Sequence, residues 1–323
     1  MASGWSPENL TQKQIEDGDA YHRALYHEGD TSKPAGWHRD SVDHLLELAK
    51  EGLHDGCLVV DYGCGTGGSA IELLKIVDDL GMKIELLLVD PLESWFGKAW
   101  EILAHRGDVH FEISTETDVE GNVKFRDLGE MLGPKKADVI ISSSTLHLVP
   151  LRALGDLAKQ FANSLNPGGF LVWDSGDVEC DWREENVARL HDPFRRVRNH
   201  IKEHDSRKEM MSLMESGVAE GTERRIDRIF PEPYEIGEMI SALESAGFST
   251  ELSDRIVDFD EGDAERFILV PRLAEIAAPL MEGKQRISAI KGALAEVMEV
   301  MREEGTAFES GYRSHWVYGV HRI

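Results

Sequence analysis

The sequence predicts an α/β fold, a mostly parallel sheet with helices on both faces. Three observations carry this. Short β-rich apolar runs alternate with amphipathic stretches of helical length; the first such run breaks into glycines and resumes at helical spacing; and turn residues punctuate each passage between them. With 323 residues, 41% of them hydrophobic, the chain can bury a sizeable core as one elaborated domain or as two.

The elements follow in order. Residues 11–51 read as two or three helices, with helical spacing in SVDHLLELAKEG and a Pro/Gly break at Lys33 to Gly36. CLVVDYG is a first strand, ended by glycines, and SAIELLKIVDDLG is an amphipathic helix stopped at Gly81. KIELLLVDP is the second strand. A helix runs through SWFGKAWEILAHRG, a third strand lies near DVHFEIS, and Thr115 to Gly133 reads as a polar loop with a short helix. ADVIISSS is the fourth strand, LRALGDLAKQFANSLNPGG a helix stopped by Asn-Pro-Gly-Gly, and FLVWDSGD the fifth strand. Residues 181–230 are helical and charged without a strand pattern, which marks an insertion. YEIGEMISALESAGFSTELSDRIVDF then supplies a helix and a sixth strand, Ala264 to Glu304 a second helical insertion, and SHWVYGVHRI a last strand at or near an edge. The expected divisions are a helical lid over 1–50, a core over 51–180, an insertion over 181–230 and completion of the core sheet over 231–323.

Composition excludes several classes of function. Sixty acidic residues against 35 Lys plus Arg give a formal charge of −25, which repels phosphate backbones and anionic lipid. No apolar run approaches the roughly 20 residues of a membrane span. The N-terminus lacks a basic patch followed by an apolar stretch, so a cytoplasmic protein is expected. Cys57, Cys64 and Cys180 form neither an even framework nor a CxxC pair. Partners are therefore expected to be small molecules, with neither nucleic acid nor membrane; a homodimer is compatible with the sequence.

The glycine turn after the first strand supports two cofactors. From Gly63 it reads G-x-G-x-x-G, with Asp90 at about the spacing of a dinucleotide site; from Asp61 it reads D-x-G-x-G-x-G. In both, glycines let the backbone approach a ligand at a helix N-terminus. Asp61 favours the second reading, since a carboxylate repels a pyrophosphate and tolerates an ammonium or a sulfonium.

VVDYGCGTG, LLLVDP, ADVIISSSTLHLVP and LNPGGFLVWDS, in that order, resemble the successive motifs of class I S-adenosylmethionine-dependent methyltransferases, and SSSTLHLVP resembles their small-molecule branch. The resemblance covers about Cys57 to Asp177 and, less closely, Tyr234 to Phe259. It implies a seven-stranded Rossmann-like sheet with an antiparallel last strand. It implies further that Gly63, Gly65 and Gly67 line the cofactor, that Asp90 accepts from the ribose hydroxyls, that Asp61 sits by the methionine end, and that Pro91 and Ser143 lie beside them. Glu116 or Asp118 is expected near the adenine. His147, at the pocket mouth, is either a base or a shielding residue.

The same resemblance places the acceptor between the N-terminal segment and the 181–230 insertion. Tyr21, Tyr26 and Trp37 are therefore expected on a lid. The insertion holds nine Arg and two Lys against eleven acidic residues, neutral within an acidic chain, so Arg195, Arg196 or Arg198 is expected to grip a carboxylate of a small metabolite. His200 and His204 share a helical face without a third ligand, and the acidic partner that would complete a metal site with Asp174 or Asp177 is missing after the fourth strand, so methyl transfer is expected to be metal-independent. Two alternatives stay open: a nicotinamide-dependent oxidoreductase, and a non-catalytic S-adenosylmethionine-binding regulatory protein.

Overall fold

The computed structural model describes residues 7–117, 123–203, 232–279 and 281–323. Its centre is a sheet of β1 (Leu58–Tyr62), β2 (Glu85–Asp90), β3 (Val109–Ile113), β6 (Ala137–Ser143), β7 (Leu165–Ser175), β8 (Ser249–Asp260) and β10 (Gly311–Arg322), in the order β3-β2-β1-β6-β7-β10-β8. The first five strands of that order pair in parallel; β10 runs antiparallel to both β7 and β8. A two-residue strand, β9 (Ala307–Phe308), hooks onto β10 as an eighth. The last long strand is thus one in from the edge, and β8 forms the edge.

The central strands read as unbroken apolar runs because both faces are covered. Val59, Leu86, Leu88, Val139, Ile141, Phe170 and Val172 enter one core; Val60, Leu87, Val89, Ile140, Leu171 and Trp173, alternating with them, enter the other. On the first face lie α2 (Gly36–Ala49), α3 (Gly68–Leu80) and α4 (Glu93–Leu103), with α1 (Gln12–Leu25) packed on α4. On the second lie α5 (Leu128–Leu132), α6 (Leu151–Ser164) and α8 (Ile236–Glu244). Three further helices, α9 (Glu261–Ile268), α10 (Pro271–Ala277) and α11 (Gly283–Glu303), extend the first core and pack with α7 (Asp192–Glu203).

Two expectations meet a different arrangement. Within the expected lid, α2 is a core helix: its Val42, Leu45, Leu46 and Ala49 are buried, and it packs on β6, β7, β8 and β10. The weakly patterned stretch after the third strand contains a hairpin, β4 (Thr115–Thr117) with β5 (Val123–Phe125), ahead of the short α5. Of the 181–230 insertion, the described part is a loop tied to the sheet by the Ala188–Ser314 bridge, followed by α7.

Candidate active site

Strand order reverses between β1 and β6, and ligands in open α/β sheets bind outside the carboxyl ends of the strands at such a point. A cavity of about 420 Å³ opens there, within the size range of small-molecule sites. The segments that follow β1, β2, β3 and β6 form one side of it, through Gly63, Asp90, Ser114 and Ser144.

The glycine turn has the shape that its residues dictate. Gly63 (φ +79°) and Gly65 (φ +55°) adopt left-handed backbone, which costs other residues roughly 1–2 kcal/mol. Gly65 faces the ring pair of Tyr21 and Trp95, stacked at 4.0 Å and 6°. Gly67 (φ +83°) does not border the cavity; it sits against Ala99 of α4 and starts α3. Asp90, at the end of β2, accepts from the Gly65 N–H (2.8 Å) and the Leu92 N–H (2.7 Å), so it both braces the turn and caps the chain entering α4. Burial pushes it up to about 6 against those two hydrogen bonds.

Asp61 lies behind the turn. Neither of its oxygens has a hydrogen-bond partner, and burial, then the charge of Asp90, raise it to about 8, with the Ala70 N–H offsetting this only in part. Asp174, on β7, accepts from Ser143 Oγ and from the Ser144 N–H; burial raises it to about 7. Ser144 itself has φ +48°, the kind of backbone strain that gathers at functional sites. Of these three buried carboxylates Asp90 borders the cavity, while Asp61 and Asp174 stand behind its wall. Arg126, the one Arg or Lys among the described residues of the cavity wall, already donates to Glu112 and the Ile113 carbonyl.

Much of the remaining wall is aromatic: Tyr21 and Trp95 beside Gly65, with Trp37, Phe267 and Trp316. Pro91 and Ser143 also border the cavity. Tyr26 does not. It is fully buried, with its hydroxyl on Glu72 (2.8 Å) and His38 Nε2 at 3.3 Å. Glu116 is exposed on β4, away from the cavity, and Asp118 lies outside the described residues. Ser114, with a buried hydroxyl lacking a partner, borders the cavity instead.

The arginines serve other ends. Arg195 is buried and donates from both terminal nitrogens to Asp177. Arg196 pairs with Glu304 (2.6 Å), Arg198 lies beside Asn199, and none of the three borders the cavity. As placed here, none of the three is positioned to grip an acceptor carboxylate in this cavity.

His147 borders the cavity and is buried. Ser175 Oγ accepts the Asp177 N–H (3.0 Å) and lies 3.0 Å from His147 Nδ1, so pairing the buried hydroxyl hydrogen makes Ser175 the donor to Nδ1. Burial holds His147 down to about 3, hence neutral, with its proton on Nε2, an atom without a protein partner. A base role at Nε2 does not fit that tautomer; a donor role does.

A further histidine escaped the sequence reading. His191, between Asp177 and α7, borders the same cavity, and its Nδ1 lies 3.0 Å from Asp177 Oδ2. His147, Asp177 and His191 bring potential ligand atoms within 4.8 Å of one another. Asp177, however, accepts four hydrogen bonds, two on each oxygen, from Arg195, the His191 ring and the His191 N–H. Its lone pairs are used, and a guanidinium occupies the place a cation would take. His200 pairs with Glu296 at 3.4 Å, and His204 lies outside the described residues.

A family model described as "Methyltransferase domain" matches residues 37–216. No curated protein sequence matches. Among solved structures the chain is similar to a mycolic acid cyclopropane synthase crystallised with SAH and CTAB, at 13% identity and TM-score 0.51, covering 98% of this chain and 100% of that one. It is similar to a cyclopropane synthase from Mycobacterium tuberculosis, at 12% identity and TM-score 0.50 with 98% and 100% covered. The YcgJ protein from Bacillus subtilis aligns at 13% identity and TM-score 0.50, with 87% and 99% covered. At these identities the likeness concerns the fold. Among the described residues no helix is long and apolar enough to cross a membrane.

Proposed function

The chain belongs to the methyltransferase-domain family, and on that premise we propose that its cavity takes S-adenosylmethionine against the glycine turn and a small methyl acceptor against the aromatic wall. The observation that carries this is the set of acidic groups at the turn: Asp90 lines the cavity with Asp61 and Asp174 buried behind it, all three raised by burial and so drawn into their ionised form by a cation beside them, and Arg126, the one Arg or Lys among the described residues of the wall, is already paired. Such a site favours a ligand bearing an ammonium and a sulfonium and disfavours a pyrophosphate. That counts against the nicotinamide alternative.

When bound, S-adenosylmethionine supplies a methyl group already activated on sulfur. The chain aligns and excludes water. Gly63 and Gly65 admit the ligand close to the backbone, Asp90 offers its remaining lone pairs to the ribose hydroxyls, and Asp61 answers the ammonium. Pro91, Ser114 and Ser143 border the cofactor. Tyr21, Trp37, Phe267 and Trp316 hold an acceptor with a flat apolar body, and His147 donates from Nε2. An acceptor carboxylate has lost the arginine support that suggested it; the aromatic wall supports an apolar acceptor instead.

Titration calorimetry tests the cofactor. S-adenosylmethionine and S-adenosylhomocysteine should bind and NAD should not. Binding of NAD with no response to S-adenosylmethionine would overturn the reading.

A further inference from the structure

The backbone just before His191 is fixed, and its ring packs on a neighbour. The Leu190 N–H donates to the Gly176 carbonyl (2.7 Å), Tyr312 Oη donates to the Leu190 carbonyl (3.0 Å), and the ring lies 6.1 Å from Phe267. His191 and then Arg195, which donates to it from both terminal nitrogens, keep the neighbouring Asp177 ionised against the effect of burial. An ionised carboxylate can only accept, so the proton of the His191–Asp177 bond sits on Nδ1, and whenever the ring holds one proton its lone pair lies on Nε2. His147, with ring centroid 5.5 Å away, is in the opposite tautomer and carries its proton on Nε2. Two imidazoles of opposite hydrogen-bonding character therefore border one cavity, a donor and an acceptor.

Resting on the methyltransferase reading, we propose that His191 is the general base for an acceptor presenting a weakly acidic hydroxyl of the phenol or enol class, with Asp177 and Arg195 as its positioning residues. The hydroxyl oxygen forms the new bond to the methyl carbon, the electron pair of the broken C–S bond stays on sulfur, and the hydroxyl proton passes to His191 Nε2. Asp177 balances the resulting imidazolium, which returns the proton to water as product leaves. An imidazole suits a phenolic proton, with pKa near 10, far better than that of an aliphatic alcohol; a carboxylate, an ionised thiol or a thioether needs no base. The aromatic wall of Tyr21, Trp37 and Phe267 accepts a flat ring.

Two probes of equal shape separate base catalysis from positioning: 4-methylphenol, which must lose a proton, and 4-methylthiophenol, which is largely ionised near neutral pH. Wild-type protein should form S-adenosylhomocysteine with both. His191→Gln should slow the phenol by about 10²- to 10⁴-fold and the thiol only a few-fold. Equal losses on both probes, or a wild type that methylates the thiol alone or neither while still binding S-adenosylmethionine, overturn the base and leave the methyltransferase reading intact. Failure to bind S-adenosylmethionine at all would instead sink that reading. Independently of any variant, imidazole nitrogen NMR of the wild type should show His191 protonated on Nδ1 and His147 on Nε2; His191 protonated on Nε2 alone refutes the proposal.

Discussion

Gly63 lies directly beneath Thr145: a Cβ on Gly63 would stand 2.3 Å from both Oγ1 and Cγ2 of Thr145, and Thr145 Oγ1 sits 3.1 Å from the Gly63 carbonyl. The end of β1 and the loop after β6 thus meet without room for one carbon. Gly63→Ala should cost about 2–4 kcal/mol, from left-handed strain and overpacking together. Adding Thr145→Gly relieves the clash and leaves the backbone strain, so part of the loss should return. Chemical denaturation of the two single variants and the double variant measures the coupling, and strict additivity would contradict the contact.

Asp90→Ala removes an acceptor from a buried turn and from the cofactor proposed above. S-adenosylmethionine affinity should weaken by about 1.5–3 kcal/mol. Calorimetry on variant protein that still unfolds cooperatively decides it, and unchanged affinity would mean that the ribose lies elsewhere.

The pH response of Asp61 has a definite sign. Burial raises its carboxyl to about 8, above the ordinary carboxylate range, so Asp61 costs little at about pH 4 and subtracts stability as pH rises toward about 8. Ligand-free protein should lose stability across that window on this account. Asp61→Asn should gain on the order of 2–5 kcal/mol at about pH 8 and little at about pH 4. Urea titrations at both ends check it; an equal gain at both would remove the carboxylate from the explanation.

Arg195 and Arg196 are neighbours with opposite fates. Arg195→Ala strands the buried Asp177 carboxylate and should cost about 3–5 kcal/mol. Arg196→Ala breaks a half-exposed pair with Glu304 and should cost less than about 1 kcal/mol. Melting curves for the two should differ plainly, and a large loss for Arg196→Ala would contradict the surface assignment.

Truncation tests the corrected role of the N-terminal helices. A chain beginning at Ser41 loses Trp37, stacked on Phe259 at 4.7 Å, and the first turn of a core helix. Removal of a buried Trp alone costs about 3–5 kcal/mol, so cooperative unfolding should vanish. Tyr21→Ala should keep the fold and expose Trp95, seen as a red-shifted emission.

What could be read from sequence was what is local. β1, β2, β6 and β7 are apolar runs because both of their faces are covered, and the turn from Gly63 to Gly67 declares its backbone through its glycines alone. The β4–β5 hairpin escaped because TET and VKF are too short and too polar to show a period. In the site, Gly63, Gly65 and Asp90 lie on consecutive elements, and their expected place beside one ligand came from the resemblance of their motifs to those of class I methyltransferases, with Gly67 falling outside the cavity wall. His191 acquires its character from Asp177 only through folding, and of the arginines that suggested ligand binding Arg195 pairs with Asp177 and Arg196 with Glu304, partners that no local pattern announces. Tyr26, chosen as an aromatic near the first strand, turned inward because its hydroxyl finds Glu72.

The place of β10 between β7 and β8 also sets a tempo. Phe170 pairs with Arg322, roughly 150 residues further along, so this half of the sheet closes only after a very long loop has been drawn in. Until then the β7 backbone edge beside Val172 and Trp173 is an open template for other chains. Refolding from denaturant should therefore be slow and should yield less native protein as concentration rises, the mark of a non-local strand pairing that competes with aggregation.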